Sequence, residues 1–194
     1  MAGPASAAPR RSPLAMAVLL LLGIEPLHPY GLRRRIHDWD KDRVVNVTQR
    51  NSVYQTVERL ERAGLITQVG TAQQEKRPDK TLYRTTEEGA ETARRWLLEL
   101  LTEPVEEYPS FPAALAFLGV LPRETVLAAL RERARTLAER LEREDAEVAA
   151  AIAALPEGHL EPVNLIEYDY LRTMCSAELA WLERAIEGFA AEPE

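Results

Sequence analysis

The side chains with chemistry to offer in this 194-residue chain are amides and guanidiniums rather than nucleophiles or metal ligands. Gln49, Arg50, Asn51, Ser52 and Gln55 crowd the start of a segment with helical periodicity, and Arg59 follows one turn on. Amides and guanidiniums at such spacing pair bidentately with adenine and guanine edges, and a helix start itself favours phosphate. Downstream, Lys76, Arg77 and Lys80 lie in a turn-rich stretch, where their charges can meet phosphodiester oxygens or enter a minor groove. Other chemistries lack their parts. A single Cys175 excludes an internal disulfide framework and a Cys-based zinc cage, and His28, His37 and His159 lack the i, i+4 spacing of a helical zinc site. There is no Gly-rich phosphate loop and no nucleophile–base arrangement, and the adjacent His37 and Asp38 read as surface loop. No enzymatic activity, cofactor or metal is expected.

Charge is divided along the chain. Residues 1–85 hold 14 Lys/Arg against 8 Asp/Glu, net +6, whereas residues 86–194 are net −13. The overall charge of −7 therefore does not exclude a polyanionic partner for the front half. The longest apolar run, Leu14 to Ile24, falls short of the roughly 20 residues of a membrane span. Arg10 and Arg11 ahead of it have the layout of a secretory leader, but no small-residue cleavage site follows Leu22. The run reads as a buried first helix, and the expected location is the cytoplasm.

The elements that must position these residues follow from periodicity and punctuation. Residues 1–11, rich in Ala, Pro and Ser, read as a disordered tail. A first helix is expected over 12–22, with Ser12 as N-cap, Pro13 in the first turn and Gly23 as its end. A second helix, 30–39, turns Leu32 and Ile36 inward, and Val44 to Val47 suggest a brief extended piece. A third helix, 49–63, capped by Thr48, buries Val53, Val57 and Leu60, and Gly64 closes it. Tyr54 beside that stripe is read as partly buried with its hydroxyl at the surface. A strand over 65–69, a loop over 70–80 and a returning strand over 81–85 make a hairpin, after which Thr85 and Glu88 suggest a capping box for a helix over 87–101.

Beyond Pro104 and Pro109 the pattern changes. A short apolar helix is expected over 111–119 and a long one over 122–155, about 50 Å at 1.5 Å per residue. On it Leu127, Leu130, Ala134, Leu137, Leu141, Glu144, Val148, Ala151 and Leu155 repeat at 3–4 spacing, a heptad seam with one polar member. Glu144 is expected to face solvent. A last helix over 162–189 carries Tyr170, Met174 and Trp181 along one side. Met174 and Cys175 read as packing residues. The order is that of a mainly α protein with a small β-hairpin wing: a winged helix-turn-helix over 12–103 and a helical dimerisation domain over 104–194. The major groove, about 12 Å wide, admits one helix, which suits the third. A basic helix face and a hairpin also occur in proteins that bind no nucleic acid, so a protein–protein adaptor is the alternative.

Several segments resemble the PadR family of transcriptional regulators. Leu19 to Leu22, Gly23, Ile24, then Glu25, Pro26, Leu27, His28, Pro29, Tyr30, Gly31 and Leu32 look like that family's opening, usually Leu-Leu-Gly-Leu and then Pro-Leu-His-Gly-Tyr-Glu-Leu. Tyr54, Leu60, Glu61, Gly64 and Leu65 fall on characteristic positions of its recognition-helix stretch, and Lys80 through Gly89 match its wing return and Thr-x-Glu-Gly helix start. Pro112 to Leu118 and Glu178 to Glu183 look like the longer C-terminal domain of one branch. Pro29, Gly31, Gln55 and the run Gln49, Arg50, Asn51 depart from the usual pattern; these departures bear on the operator sequence, not on the fold.

The resemblance implies a homodimeric regulator, a repressor on a pseudo-palindromic operator in double-stranded DNA, released by a small aromatic effector. DNA contacts are expected from Gln49, Arg50, Asn51, Ser52, Tyr54, Gln55, Arg59, Lys76, Arg77 and Lys80. Dimer contacts are expected from Leu130, Leu137, Leu141, Val148, Tyr170, Met174 and Trp181, and effector contacts from Trp39, Trp96 and Tyr168.

Overall fold

The computed structural model describes residues 11–47, 49–74, 77–156 and 159–191, with backbone alone at 50, 72–74 and 77–79. The chain forms two compact units, Met1–Glu106 and Glu107–Glu194. The expected tail over 1–10, the Thr48 cap and Lys76 lie outside the described residues. Arg11 is described, and its guanidinium donates to Glu99 at 2.9 Å.

In the first unit, helix α1 is Pro13–Ile24 and Ser12 caps it, its side chain accepting from the Ala15 N–H at 3.1 Å. The expected end, Leu22 followed by Gly23, is two residues too early. Pro26 is the breaker: it forces Glu25 into extended backbone (φ −152°, ψ 153°), and the helix runs until that residue. Helix α2 is Pro29–Asp38, with Pro29 in its first turn and His28 as N-cap, the ring Nδ1 accepting from the Gly31 N–H at 2.8 Å. Val44–Val47 form no strand: Val44 and Val45 turn back to bond the Lys41 carbonyl, and Asn46 and Val47 are irregular; Val45 and Val47 are buried all the same.

Helix α3 is Arg50–Arg62. Gly64 follows its C-cap at φ +73°, donating to the Glu61 carbonyl, while Leu65 donates to the Leu60 carbonyl. Both bonds together form a Schellman end that turns the chain straight into a strand. Strands β1 (Ile66–Gln74) and β2 (Arg77–Thr85) pair antiparallel from Ile66↔Thr85 to Gln74↔Arg77, with register shifts at Gln68/Gly70 and Ala72/Gln74. The expected loop over 70–80 is therefore mostly strand. Its Gln, Thr and Lys residues lack the apolar alternation by which a half-buried strand is recognised.

Helix α4, Glu87–Thr102, begins at Thr86, whose hydroxyl accepts from the Gly89 N–H at 3.1 Å. Thr85 is not the cap: its hydroxyl donates to the Leu19 carbonyl of α1. The Thr86 hydroxyl in turn donates to the Gly64 carbonyl, and its N–H donates to the Leu65 carbonyl. The start of α4 is thus stitched to the end of α3. A second stitch joins Leu27, between α1 and α2, to Tyr83 of β2 by reciprocal backbone bonds of 3.2 and 3.0 Å. Val18, Leu19, Leu22, Leu32, Ile36, Val53, Val57, Leu60, Ile66 and Trp96 close one core beneath this frame. Each such side chain contributes roughly 1.5–3 kcal/mol by leaving water.

The second unit holds α5 (Ser110–Leu115), a 3-10 turn (Leu118–Val120), α6 (Arg123–Ala153) and α7 (Pro162–Ala191). Val126, Leu130, Leu137 and Leu182 form its buried centre, flanked by Ala134, Cys175, Ile186 and Phe189. The heptad seam of α6 is therefore covered by α7 of the same chain. Glu144, expected at the surface, is buried on that seam and accepts from Arg140 at 2.7 Å. It occupies an inward heptad position, with the Arg140 guanidinium one turn back as a hydrogen-bond partner. Further out, Arg172 grips Asp145 with both ends of its guanidinium, and the Tyr168 hydroxyl donates to the same carboxylate.

Candidate nucleic-acid interface

The Val53, Val57 and Leu60 stripe fixes how α3 is rotated. With those three buried, Asn51, Gln55, Glu58 and Arg62 stand exposed at i, i+4, i+7 and i+11 on the opposite face. Ser52 and Arg59 are half-buried along its flank, and Gln49 is exposed at the N-cap, where it makes no side-chain cap. Ser52 is engaged locally, its hydroxyl donating to the Gln49 carbonyl at 2.7 Å. Tyr54 is 49% exposed, consistent with a ring only partly buried beside the stripe. The outer face thus offers two amides, a carboxylate and a guanidinium over about three turns, a set able to read adenine, cytosine and guanine edges.

Two concave surfaces flank this face. On the wing side, His28, Tyr30, Tyr54, Val57, Lys80 and Tyr83 line a cavity of about 260 Å³. Lys80 Nζ stands 5.2 Å over the Tyr30 ring, and the His28 ring stacks on Tyr30 at 6.0 Å. Burial, and then the Lys80 charge, hold the His28 pKa below its ordinary value, so the ring stays neutral and keeps its capping lone pair. On the other side, Ser12, Ser52, Gln55, Thr56, Arg59 and Arg62 line a cleft of about 440 Å³.

Of the expected DNA contacts, Asn51, Ser52, Tyr54, Gln55 and Arg59 share α3 with Gln49 at its start, and Lys80 comes alongside from β2. For Arg50 and Arg77 the backbone alone is described, in α3 and β2 respectively. Sequence reasoning overlooked Tyr30, Glu58, Arg62 and Ser12. The signal for Glu58 and Arg62 was present as the continuation of the Asn51–Gln55 spacing; Tyr30 and Ser12 come from other helices and had none.

The remaining expected residues scatter. Leu130 and Leu137 are buried in the intrachain core, and Leu141 and Val148 are half-buried on the same helix. Tyr170, Met174 and Trp181 are instead exposed on α7, by 63%, 53% and 39%. Trp96 is core, Trp39 is exposed beneath the Arg35 guanidinium, and Tyr168 belongs to the second unit. Burial pushes the Cys175 thiol up, away from thiolate reactivity. Among the described residues, no His, Cys, Asp and Glu cluster has metal-ligand geometry, and no helix is long and apolar enough to cross a membrane.

Residues 18–95 match the family model described as Transcriptional regulator PadR-like family, a family of regulators rather than enzymes. Among solved structures, Bacillus subtilis PadR in complex with operator DNA is similar at 18% identity and a TM-score of 0.67, over 91% of this chain and 98% of that one. The same protein in complex with p-coumaric acid matches at 17% identity and TM-score 0.66, again over 91% and 98%. The smu.1604c protein of Streptococcus mutans matches at 21% identity and TM-score 0.65, over 89% of this chain and 98% of that one. At these identities the likeness is one of fold. No curated protein matches the chain by sequence.

Proposed function

We propose, from the premise that residues 18–95 belong to the PadR-like family of transcriptional regulators, that the chain is a homodimeric repressor reading a pseudo-palindromic operator. The observation that carries this reading is the outer face of α3, where Asn51 and Gln55 stand exposed, with the Lys80 and Tyr30 cluster on one flank of the same helix. The α3 residues supply base preference and Lys80, with Arg77 and Lys76, supplies phosphate contacts that set register. B. subtilis PadR binds operator DNA and p-coumaric acid; by analogy, duplex DNA is the partner here and a small aromatic molecule the releasing signal.

The homodimer is supported by α7. Val163, Ile166, Tyr170, Met174 and Trp181 are all exposed and recur at intervals of three, four, four and seven residues, on one face of the helix, while its inner side is filled by the chain itself. A stripe of that size in water favours a second copy. Two copies about a two-fold axis then present recognition helices to half-sites about one helical turn, near 34 Å, apart.

Footprinting of the region upstream of the chain's own gene tests the reading. Asn51→Ala and Gln55→Ala each cost roughly 1–3 kcal/mol of discrimination at the bases they contact. Unchanged footprints in both variants would remove α3 as the reading element. Failure of the wild-type chain to retard any duplex at low ionic strength would end the DNA-binding reading and leave the adaptor.

A further inference from the structure

A cleft opens between the start of α1 and the flank of α3. Two guanidiniums, Arg59 and Arg62, share it with the hydroxyls of Ser12, Ser52 and Thr56 and the amide of Gln55, and no carboxylate lines it. Arg59 Nε is shielded from solvent and has no hydrogen-bond partner among the described residues, a costly position for a charged donor unless an acceptor arrives. Ser12 accepts from Ala15, which leaves its own hydroxyl proton free to donate. Arg11, one residue away, turns instead to Glu99. The cleft therefore presents donors and positive charge without a competing anion, on the opposite flank of α3 from Lys80.

We infer that this cleft receives a backbone phosphate of duplex DNA, with Arg59 and Arg62 as its ligands. It rests on the DNA-binding reading and adds a second anchor to it. Lys80 holds one edge of the groove and the cleft holds the other, so that α3 is fixed in depth and tilt between two sugar–phosphate strands. An arginine fork matches phosphate oxygens bidentately. Such a contact strengthens binding to every sequence equally and releases counterions, whereas Asn51 and Gln55 discriminate among sequences.

Full-length wild type, Arg62→Ala, Arg62→Lys, Arg59→Ala and Lys80→Ala are titrated against a mixed-sequence 40-base-pair duplex and the footprinted site, over a salt series. Arg62→Ala and Arg59→Ala are expected to weaken binding to both duplexes by the same factor, roughly tenfold each. The slope of log affinity against log salt drops by about 0.9 for each, and Arg62→Lys restores the slope. Arg62 is exposed, so its variants keep the test alive if Arg59→Ala fails to fold. Unchanged affinity in Arg62→Ala and Arg62→Lys while Lys80→Ala weakens binding would empty the cleft of its role and leave the DNA-binding reading intact. A change confined to the footprinted site would make Arg62 a base reader and overturn the assignment. Wild-type binding lost to millimolar inorganic phosphate at constant ionic strength, with Arg62→Ala insensitive, would reassign the cleft to free phosphate. No binding by the wild type to either duplex would remove the inference together with the reading beneath it.

Discussion

Among the described glycines of the first unit, Gly89 leaves the least room for a side chain. A Cβ there would stand 2.0 Å from the Leu65 carbonyl oxygen, which accepts from Thr86 in the stitch between α3 and α4, and 2.9 Å from Cγ2 of Thr85, whose side chain is bonded to α1. Neither atom is the end of a flexible side chain, so Gly89→Ala is expected to destabilise by about 3 kcal/mol or more in denaturant unfolding. Gly23 is the control. It lies inside α1, and a Cβ added there would meet nothing within 4 Å, so Gly23→Ala is expected to stabilise by about 0.5–1 kcal/mol. Equal effects of the two substitutions would refute the steric account. His28 gives the same scale a pH dependence. Its folded pKa lies below 6.5, held there by burial and by Lys80. Above that value both folded and unfolded chains carry a neutral ring. As pH falls through it the unfolded chain protonates first, so stability declines until the folded ring also protonates and the Gly31 cap is lost. The melting temperature is expected to fall between about pH 7.5 and about pH 5.5, and His28→Asn, which keeps an acceptor, to flatten part of that fall. His37 acts in the opposite sense: its hydrogen bond with Asp42 raises its pKa, and its contribution fades as pH rises. It is exposed, and solvent screens it.

At the scale of elements, what was legible in the sequence is what local chemistry decides. Ser12 with Pro13 marks a helix start from within one turn, and Gly64 at φ +73° marks a helix end, because each acts on its own backbone. The same holds for the outward spacing of Asn51, Gln55 and Arg62, which follows from the buried stripe of α3. Features set by distant partners were not legible. Thr85 and Thr86 are chemically alike, and only the Leu19 carbonyl of α1 decides which of them caps α4. The length of the wing was hidden because its outer stretch, Gly70 to Lys80, carries no apolar alternation in the sequence. A heptad seam states that α6 is covered but not by what, and α7 of the same chain takes Leu130 and Leu137. Glu144 makes this testable. It fills an inward position paired to Arg140, which is itself largely open to solvent. Glu144→Leu is expected to raise the melting temperature, since apolar packing there replaces a desolvated charge. A marked drop would show instead that the carboxylate specifies the register of α6 on α7.

For the whole molecule, the decisive contrast is between the two sides of α7. Leu137 of α6 packs on the inner side with Leu182, whereas Tyr170 and Met174 lie outside. A charge on either side has a different consequence if the outer stripe joins two copies. Leu137→Asp places an unpaired carboxylate in the intrachain core and is expected to unfold the second unit, with loss of helix by circular dichroism. Tyr170→Asp combined with Met174→Asp leaves that core intact. The expected product is a folded monomer by sedimentation, with wild-type helix content. Its affinity for a two-half-site duplex then collapses by about 100-fold or more, because the second half-site is no longer engaged at high effective concentration. Binding to a single half-site changes little, since α3 and the wing are untouched. A variant that sediments as a dimer would move the interface off α7. A monomeric variant that still binds the paired site as tightly as wild type would show that each chain reads its operator alone.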